Sequence, residues 1–238
     1  MAAAAYDDDL FLYEVSAVEH WKTRGPILQK ILSEYCPSTA AVVDIGSGTG
    51  LTIAAAHEAL PYATISAVEP SDGMRAALAA RITQGALDGC VTIFESIDEL
   101  PDAASSVDAI LAFGVLGHME ADERTVFWQT VRRLLSPDGV VVVELMGVEH
   151  PTYVPRRLAG QRRIGTRRYE SWISGEPAAG DEMTWRTIYR IIDDRHTIDQ
   201  HEVVRTWHTF GLDQLSRESG EGFSCTKRGE AIYVVEWV

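Results

Sequence analysis

Apolar residues fall along this chain in short runs, and between residue 40 and about residue 147 those runs alternate with stretches of helical periodicity. The runs are AAVVDIG (40–46), TISAVEP (64–70), CVTIFES (90–96), VDAILAFG (107–114) and GVVVVELMG (139–147). Each is largely apolar, as a strand buried on both faces should be. GLTIAAAHEAL follows the first run. SDGMRAALAARI follows the second and stacks Met74, Leu78 and Ile82 at i, i+4 and i+8. EADERTVFWQTVRRLL precedes the fifth and carries Phe127, Val131, Leu134 and Leu135 on one stripe. Strand and helix in alternation predict an α/β fold: a doubly wound, mostly parallel, seven-stranded sheet with right-handed crossovers.

Beyond Gly147 the pattern changes. Residues 148–180 are rich in Arg, Gly and Pro and show weak periodicity. Two long β-like runs, 182–193 and 197–208, then predict an antiparallel hairpin. A helix at GLDQLSRES and two short runs, FSCTKR and AIYVVEWV, close the chain. The expected organisation has three parts. Residues 1–147 form an N-terminal helix and an α/β core, 148–208 a late insertion with a β-rich cover, and 209–238 the last helix and strands of the core.

Composition narrows the picture. The 238 residues are 46% hydrophobic and 24% charged, as in ordinary globular domains. No apolar run reaches the about 18 residues of a spanning helix. The start, MAAAAYDDDL, has neither the basic head nor the apolar core of a secretory signal. Cys36, Cys90 and Cys225 lie far apart with no CxxC pair, which argues against disulfides or a zinc site and for a reducing, cytoplasmic setting. A net charge of −14 disfavours nucleic-acid and anionic-membrane partners. One stretch runs against that charge: PRRLAGQRRIGTRR, with arginine pairs at 156–157, 162–163 and 167–168. It reads as a solvated loop balancing nearby acids, or as a holder of an anionic substrate.

The chemistry is densest at VVDIGSGTGL (42–51). A strand stops at Asp44, and Gly46, Gly48 and Gly50 then clear side chains from the main chain, so that a ligand can touch it at the start of the next helix. The glycine spacing is G-x-G-x-G rather than the dinucleotide G-x-G-x-x-G, and no P-loop lysine follows. Glu69 ends the second run, 23 residues beyond Gly46, where an acid accepts from ribose hydroxyls. A nucleoside without a diphosphate is expected.

Four segments in register, VVDIGSGTG, VEPSDGM (68–74), ESIDELP (95–101) and LSPDGVVVVE (135–144), resemble the motifs of the class I S-adenosylmethionine-dependent methyltransferases. The resemblance implies a Rossmann-like methyltransferase fold, S-adenosyl-L-methionine as cofactor and S-adenosyl-L-homocysteine as product. It implies that Asp44 and the loop Gly46, Ser47, Gly48, Thr49 and Gly50 hold the methionine moiety. Glu69 would hold the ribose, Pro70 and Met74 would pack on the adenosine, and Ser96 and Ile97 would meet the adenine edge.

LAFGVLGHME (111–120) is similar to a stretch of small-molecule N-methyltransferases acting on amino sugars. Phe113, Gly117 and His118 match, while Gly114 and Val115 stand where two serines are usual. That likeness would set Phe113 against the adenosyl group or the methyl donor. His118 is a general base or a helix-start histidine with a structural bond. In look-alike enzymes the N-terminal segment closes over the cofactor and supplies a tyrosine, which selects Tyr13 first and Tyr6 second; otherwise these aromatics plug the sheet edge. Arg24 reads as a surface arginine or a partner of the methionine carboxylate.

Similar enzymes, among them amino-sugar and lincosamide N-methyltransferases, carry an antiparallel cover where 182–208 falls. Arg186, Tyr189, Arg190, Trp207 and His208 would line it or a homo-oligomer interface, according to register. No metal is expected, since Glu144, Glu149 and His150 form no compact carboxylate set. The leading expectation is methyl transfer to a small-molecule amine of an antibiotic or amino-sugar-containing secondary metabolite. O-methylation of a hydroxyl or carboxylate, and a non-catalytic S-adenosylmethionine-binding protein, remain as alternatives.

Overall fold

The computed structural model describes residues 10–85, 87–101, 106–194 and 196–238. Helix α1 (Leu10–Tyr35) leads into β1 (Ala41–Ile45), α2 (Leu51–Ala59), β2 (Thr64–Val68), α3 (Asp72–Gln84), β3 (Val91–Phe94), β4 (Val107–Phe113), α4 (Ala121–Leu134) and β5 (Leu135–Glu144). Four strands follow, β6 (Val154–Ile164), β7 (Arg167–Pro177), β8 (Glu182–Asp193) and β9 (His196–His208). The chain ends with α5 (Leu212–Ser219), β10 (Phe223–Lys227) and β11 (Ile232–Trp237).

Seven strands form one sheet in the order β10-β11-β5-β4-β1-β2-β3. β1 to β5 are parallel, and β11 enters antiparallel beside β5. Both faces are covered, which explains the unbroken apolar runs. Leu111, Val140 and Val142 point into one core layer with Leu28, Ile31, Leu32, Ile53 and Leu78 of α1, α2 and α3. Their neighbours Ile110, Val141 and Val143 point into the other, with Phe127, Trp128 and Val131 of α4. Adjacent residues of one strand thus serve opposite layers, and the order reverses at β1–β4, the switch point where open α/β sheets bind ligands. The apolar stripe drawn through Leu135 ends one residue earlier as helix. Leu135 opens β5, and the ladder shifts register between Val107 and Ala109 to take up the following Ser-Pro-Asp-Gly.

The late segment departs from expectation. β6 to β9 form a separate antiparallel sheet in chain order. The expected hairpin is β8–β9. The arginine-rich stretch expected as a loop is the hairpin β6–β7, with all six paired arginines exposed. Most of β6 is exposed on both faces, so its sequence lacks the alternation that marks a half-buried strand. Pairing to β7, not side-chain burial, makes it a strand. The inner face of this sheet rests on α1, where Leu12 and Val15 pack against Tyr169 and Tyr189.

Candidate active site

The carboxyl ends of β1, β2, β4 and β5 share one edge of the large sheet, and the residues singled out from the sequence converge there. Gly46 and Ser47 donate their amides to the Val68 carbonyl at 2.8 and 3.0 Å, which ties the glycine loop to the end of β2. Gly46 adopts φ 72° and Gly50 φ 84°. A Cβ on Gly46 would stand 2.6 Å from Val115 Cγ2, and one on Gly50 2.6 Å from Leu78 Cδ1. Both the backbone angle and the space demand glycine.

Asp44 is fully buried, and neither carboxylate oxygen accepts a hydrogen bond among the described residues. The Ser47 hydroxyl donates at 2.9 Å to the Asp44 main-chain carbonyl. Burial pushes the Asp44 carboxyl up to about 7; the nearby Ser47 offsets this in part, and the charge of Glu69 adds to it. Glu69 is also buried. Its carboxylate accepts from the Gly48 amide at 2.8 Å and from the Ser71 amide at 2.9 Å. Ser71 in turn caps α3, accepting from the Met74 amide at 3.1 Å. Met74 is buried and Pro70 half-buried beside it. Ser96 and Ile97 follow β3. The Ser96 hydroxyl oxygen accepts from the Asp98 amide at 3.2 Å, and Ile97 packs on the second core layer.

Helix α1 crosses this edge. The Tyr13 hydroxyl lies 3.8 Å from where a Gly48 Cβ would be, so the tyrosine stands directly over the loop. One residue on, Glu14 accepts from the Thr49 hydroxyl at 2.6 Å and pairs with Arg81 of α3. Arg81 also donates to the Thr49 carbonyl at 2.6 Å. Trp21 packs on Phe113 with centroids 5.2 Å apart. Arg24 pairs with Glu144 at the end of β5, so it is no surface arginine. Burial raises the Glu144 carboxyl while Arg24 opposes that shift. The contacts of Glu14 and Arg81, and the pairing of Arg24 with Glu144, were not legible, because nothing in their spacing marks contacts made between distant elements. Tyr6 lies outside the described residues.

The remaining wall comes from the turn after β4 and from β9. His118 sits in a short helical turn, Leu116–His118. Its ring meets the Trp207 ring edge-on, centroids 4.2 Å apart. Burial, helped by the positive charge of Arg205, pushes His118 down to about 4 from the ordinary 6.5. At that value the ring is neutral at pH 7. A Cβ on Gly117 would come 3.1 Å from the His208 carbonyl, and one on Gly114 4.0 Å from Trp207 Cη2. Glycines here let β9 lie flush against the turn. His208 faces away into a charged cluster: Nδ1 is 2.8 Å from Asp181 Oδ1 and Nε2 3.4 Å from Glu120 Oε2. Of the other residues named for the cover, Tyr189 is packed against α1, while Arg186 pairs with Glu202 and Arg190 lies over Trp172.

The glycine loop and Glu69 thus meet at the switch point of the sheet. Residues 43–141 match the family model described as a methyltransferase domain. No curated protein matches the chain in sequence. Three solved structures share its fold. CalS10 from Micromonospora echinaspora is an amino pentose methyltransferase of calicheamicin biosynthesis, with S-adenosylmethionine bound. It is 16% identical over 92% of both chains, with a TM-score of 0.73. DesVI of Streptomyces venezuelae is 14% identical over 97% of this chain and 98% of its own, with a TM-score of 0.73. The sugar N-methyltransferase KedS8 from Streptoalloteichus sp ATCC 53650 is 16% identical over 90% and 86%, with a TM-score of 0.65.

Residues 43–141 thus match a methyltransferase domain, in a chain with the class I methyltransferase fold, whose cofactor is S-adenosylmethionine. The residues present fit that cofactor: a buried carboxylate without a hydrogen-bond donor suits a cationic ligand end, and the loop offers no lysine for phosphates. Bound there, S-adenosylmethionine supplies an electrophilic methyl group on a sulfonium.

Proposed function

We propose that the protein methylates the nitrogen of a small-molecule amine, of the kind found in amino-sugar-containing secondary metabolites. The observation that carries this is the depressed His118, neutral and buried at the end of β4. A hydroxyl acceptor must shed its proton as it attacks, which calls for a base with a pKa near working pH. A ring that protonates only near 4 serves that purpose poorly. It serves well as a hydrogen-bond acceptor for the N–H of a neutral amine, whose lone pair already exists and needs only alignment. The shared fold with an amino pentose methyltransferase and a sugar N-methyltransferase supports the same reading.

In this reading Asp44 and the loop Gly46–Gly50 hold the methionine end of the cofactor. Glu69 uses its remaining lone pairs for the ribose. Pro70, Met74 and Ile97 flank the base, and Ser96 meets its edge. Phe113, backed by Trp21, lines the path of the methyl group. Tyr13 closes the loop from above and orients the acceptor with His118.

The test is transfer from S-adenosylmethionine to paired amino and hydroxy acceptors of one carbon skeleton, read by mass spectrometry. Methylation of the amines alone is expected. Methylation confined to the hydroxy partners overturns nitrogen as the target. No product from any acceptor, with the cofactor still bound, favours a binding protein.

A further inference from the structure

Near Trp207, which lies against His118, the inner face of the second sheet carries Trp185 and Arg205. The ladder sets Met183 opposite Trp207 and Trp185 opposite Arg205, and directly paired residues share a face. Trp185 and Trp207 are therefore diagonal neighbours, about 7–8 Å apart along that face. Indole and guanidinium groups carry N–H donors and no acceptor. Trp207 touches the His118 ring, and the charge of Arg205 is felt at His118. The indole nitrogens of Trp185 and Trp207 are both buried, and neither donates to an acceptor among the described residues. Buried donors without partners are uncommon in folded proteins and ask what completes them.

Trp185 crowds Gly175, where a Cβ would stand 3.0 Å from the ring, and the turn under Trp207 is cut back to Gly114 and Gly117. A large ring with a donor is accommodated at both positions at the expense of neighbouring side chains.

We infer that Trp185 and Trp207 are specificity-determining residues whose N–H groups donate to oxygen atoms flanking the amine, so that the acceptor is an amino alcohol, an amine on a hydroxylated ring. This rests on the amine reading above. Neutral His118 accepts the amine N–H, and the two indoles take lone pairs from neighbouring hydroxyl or ring oxygens. An amine without those oxygens leaves both donors unpaired in the complex and is rejected for that reason.

The measurement is the ratio of kcat/KM for a methyl amino-deoxyhexopyranoside to that for cyclohexylamine, taken within each protein. A folded fraction below one cancels in this ratio. The wild type is expected to prefer the hydroxylated amine. Trp207→Phe and Trp185→Phe each keep a ring and lose the donor, and each is expected to lower the ratio about tenfold. If one variant is insoluble, the other carries the same comparison. Ratios equal to the wild-type value in the soluble Phe variants overturn the inference and leave the amine reading standing. A wild type that methylates neither amine, while binding S-adenosylhomocysteine by calorimetry, overturns the amine reading and this inference with it.

Discussion

Thr49 donates its hydroxyl to Glu14 at 2.6 Å, joining the glycine loop to a helix 35 positions earlier in the chain. Glu14 also pairs with Arg81, which itself holds the Thr49 carbonyl. One carboxylate therefore fastens α1, the loop and α3 together above the cofactor berth. Replacing Glu14 by Ala should weaken S-adenosylhomocysteine binding by about five- to tenfold, the loss of one or two charge-assisted bonds. The pair is partly exposed, so thermal stability should fall by only about 1 kcal/mol or less. Unchanged affinity by calorimetry would show that the fastening is irrelevant to the cofactor.

Asp44 predicts a pH signature. In the folded chain it keeps its proton up to about 7, against an ordinary 3.8. Between those values the folded state binds more protons than the unfolded one. The cofactor-free protein should therefore lose stability as pH rises across that window. Asp44→Asn should flatten this slope and leave the cofactor-free fold at least as stable at pH 8. The same change should weaken cofactor binding at least about 100-fold, because the cationic end loses its counter-charge. Binding near pH 6 should release a proton from Asp44, seen as a heat that depends on the buffer. A slope identical in wild type and variant would place the titration elsewhere.

His118 predicts the shape of the rate profile. Because it protonates only near 4, kcat/KM for an amine should climb with pH toward the acceptor's own pKa, with no inflection near 6.5. His118→Ala should lower the rate by about 10- to 100-fold without abolishing it, as expected for lost alignment. The depressed value also means that folding stability is intact above 6.5 and falls as pH drops toward 4. Loss beyond about 10⁴-fold in the variant would mean that His118 removes a proton the reaction cannot proceed without.

Gly46 offers a packing test. Gly46→Ala introduces a Cβ 2.6 Å from Val115 Cγ2 at φ 72°. The clash and the left-handed angle together should cost about 2–4 kcal/mol. Adding Val115→Ala removes the clash but not the angle, so unfolding midpoints should recover in part. Full recovery would mean that the backbone angle costs nothing, and no recovery would mean that the collision is not the cause.

The parallel core was legible because its signals are local. Runs such as VDAILAFG are apolar at all positions but Asp108, as a strand buried on both faces is expected to be. Gly46 and Gly50 announced their loop because no other residue tolerates those angles so near a neighbour, and Glu69 announced itself by distance from that loop. The strand β6 was hidden for the converse reason: Arg156, Arg157, Arg162 and Arg163 are exposed, and a strand held only by its ladder leaves no pattern. Arg24 looked like a surface cation until β5 brought Glu144 to it.

The sequence by itself determined the alternation of strands and helices, the glycine loop with its distant acid, and hence the class of ligand, since each is a matter of residue type and spacing along the chain. Tertiary structure alone decided the protonation of His118 and Asp44, the fastening of α1 by Glu14, and the meeting of Trp207 with His118. Those properties come from burial and from charges brought together across tens to hundreds of residues, and desolvation has no expression in the order of amino acids until the chain has closed around the group.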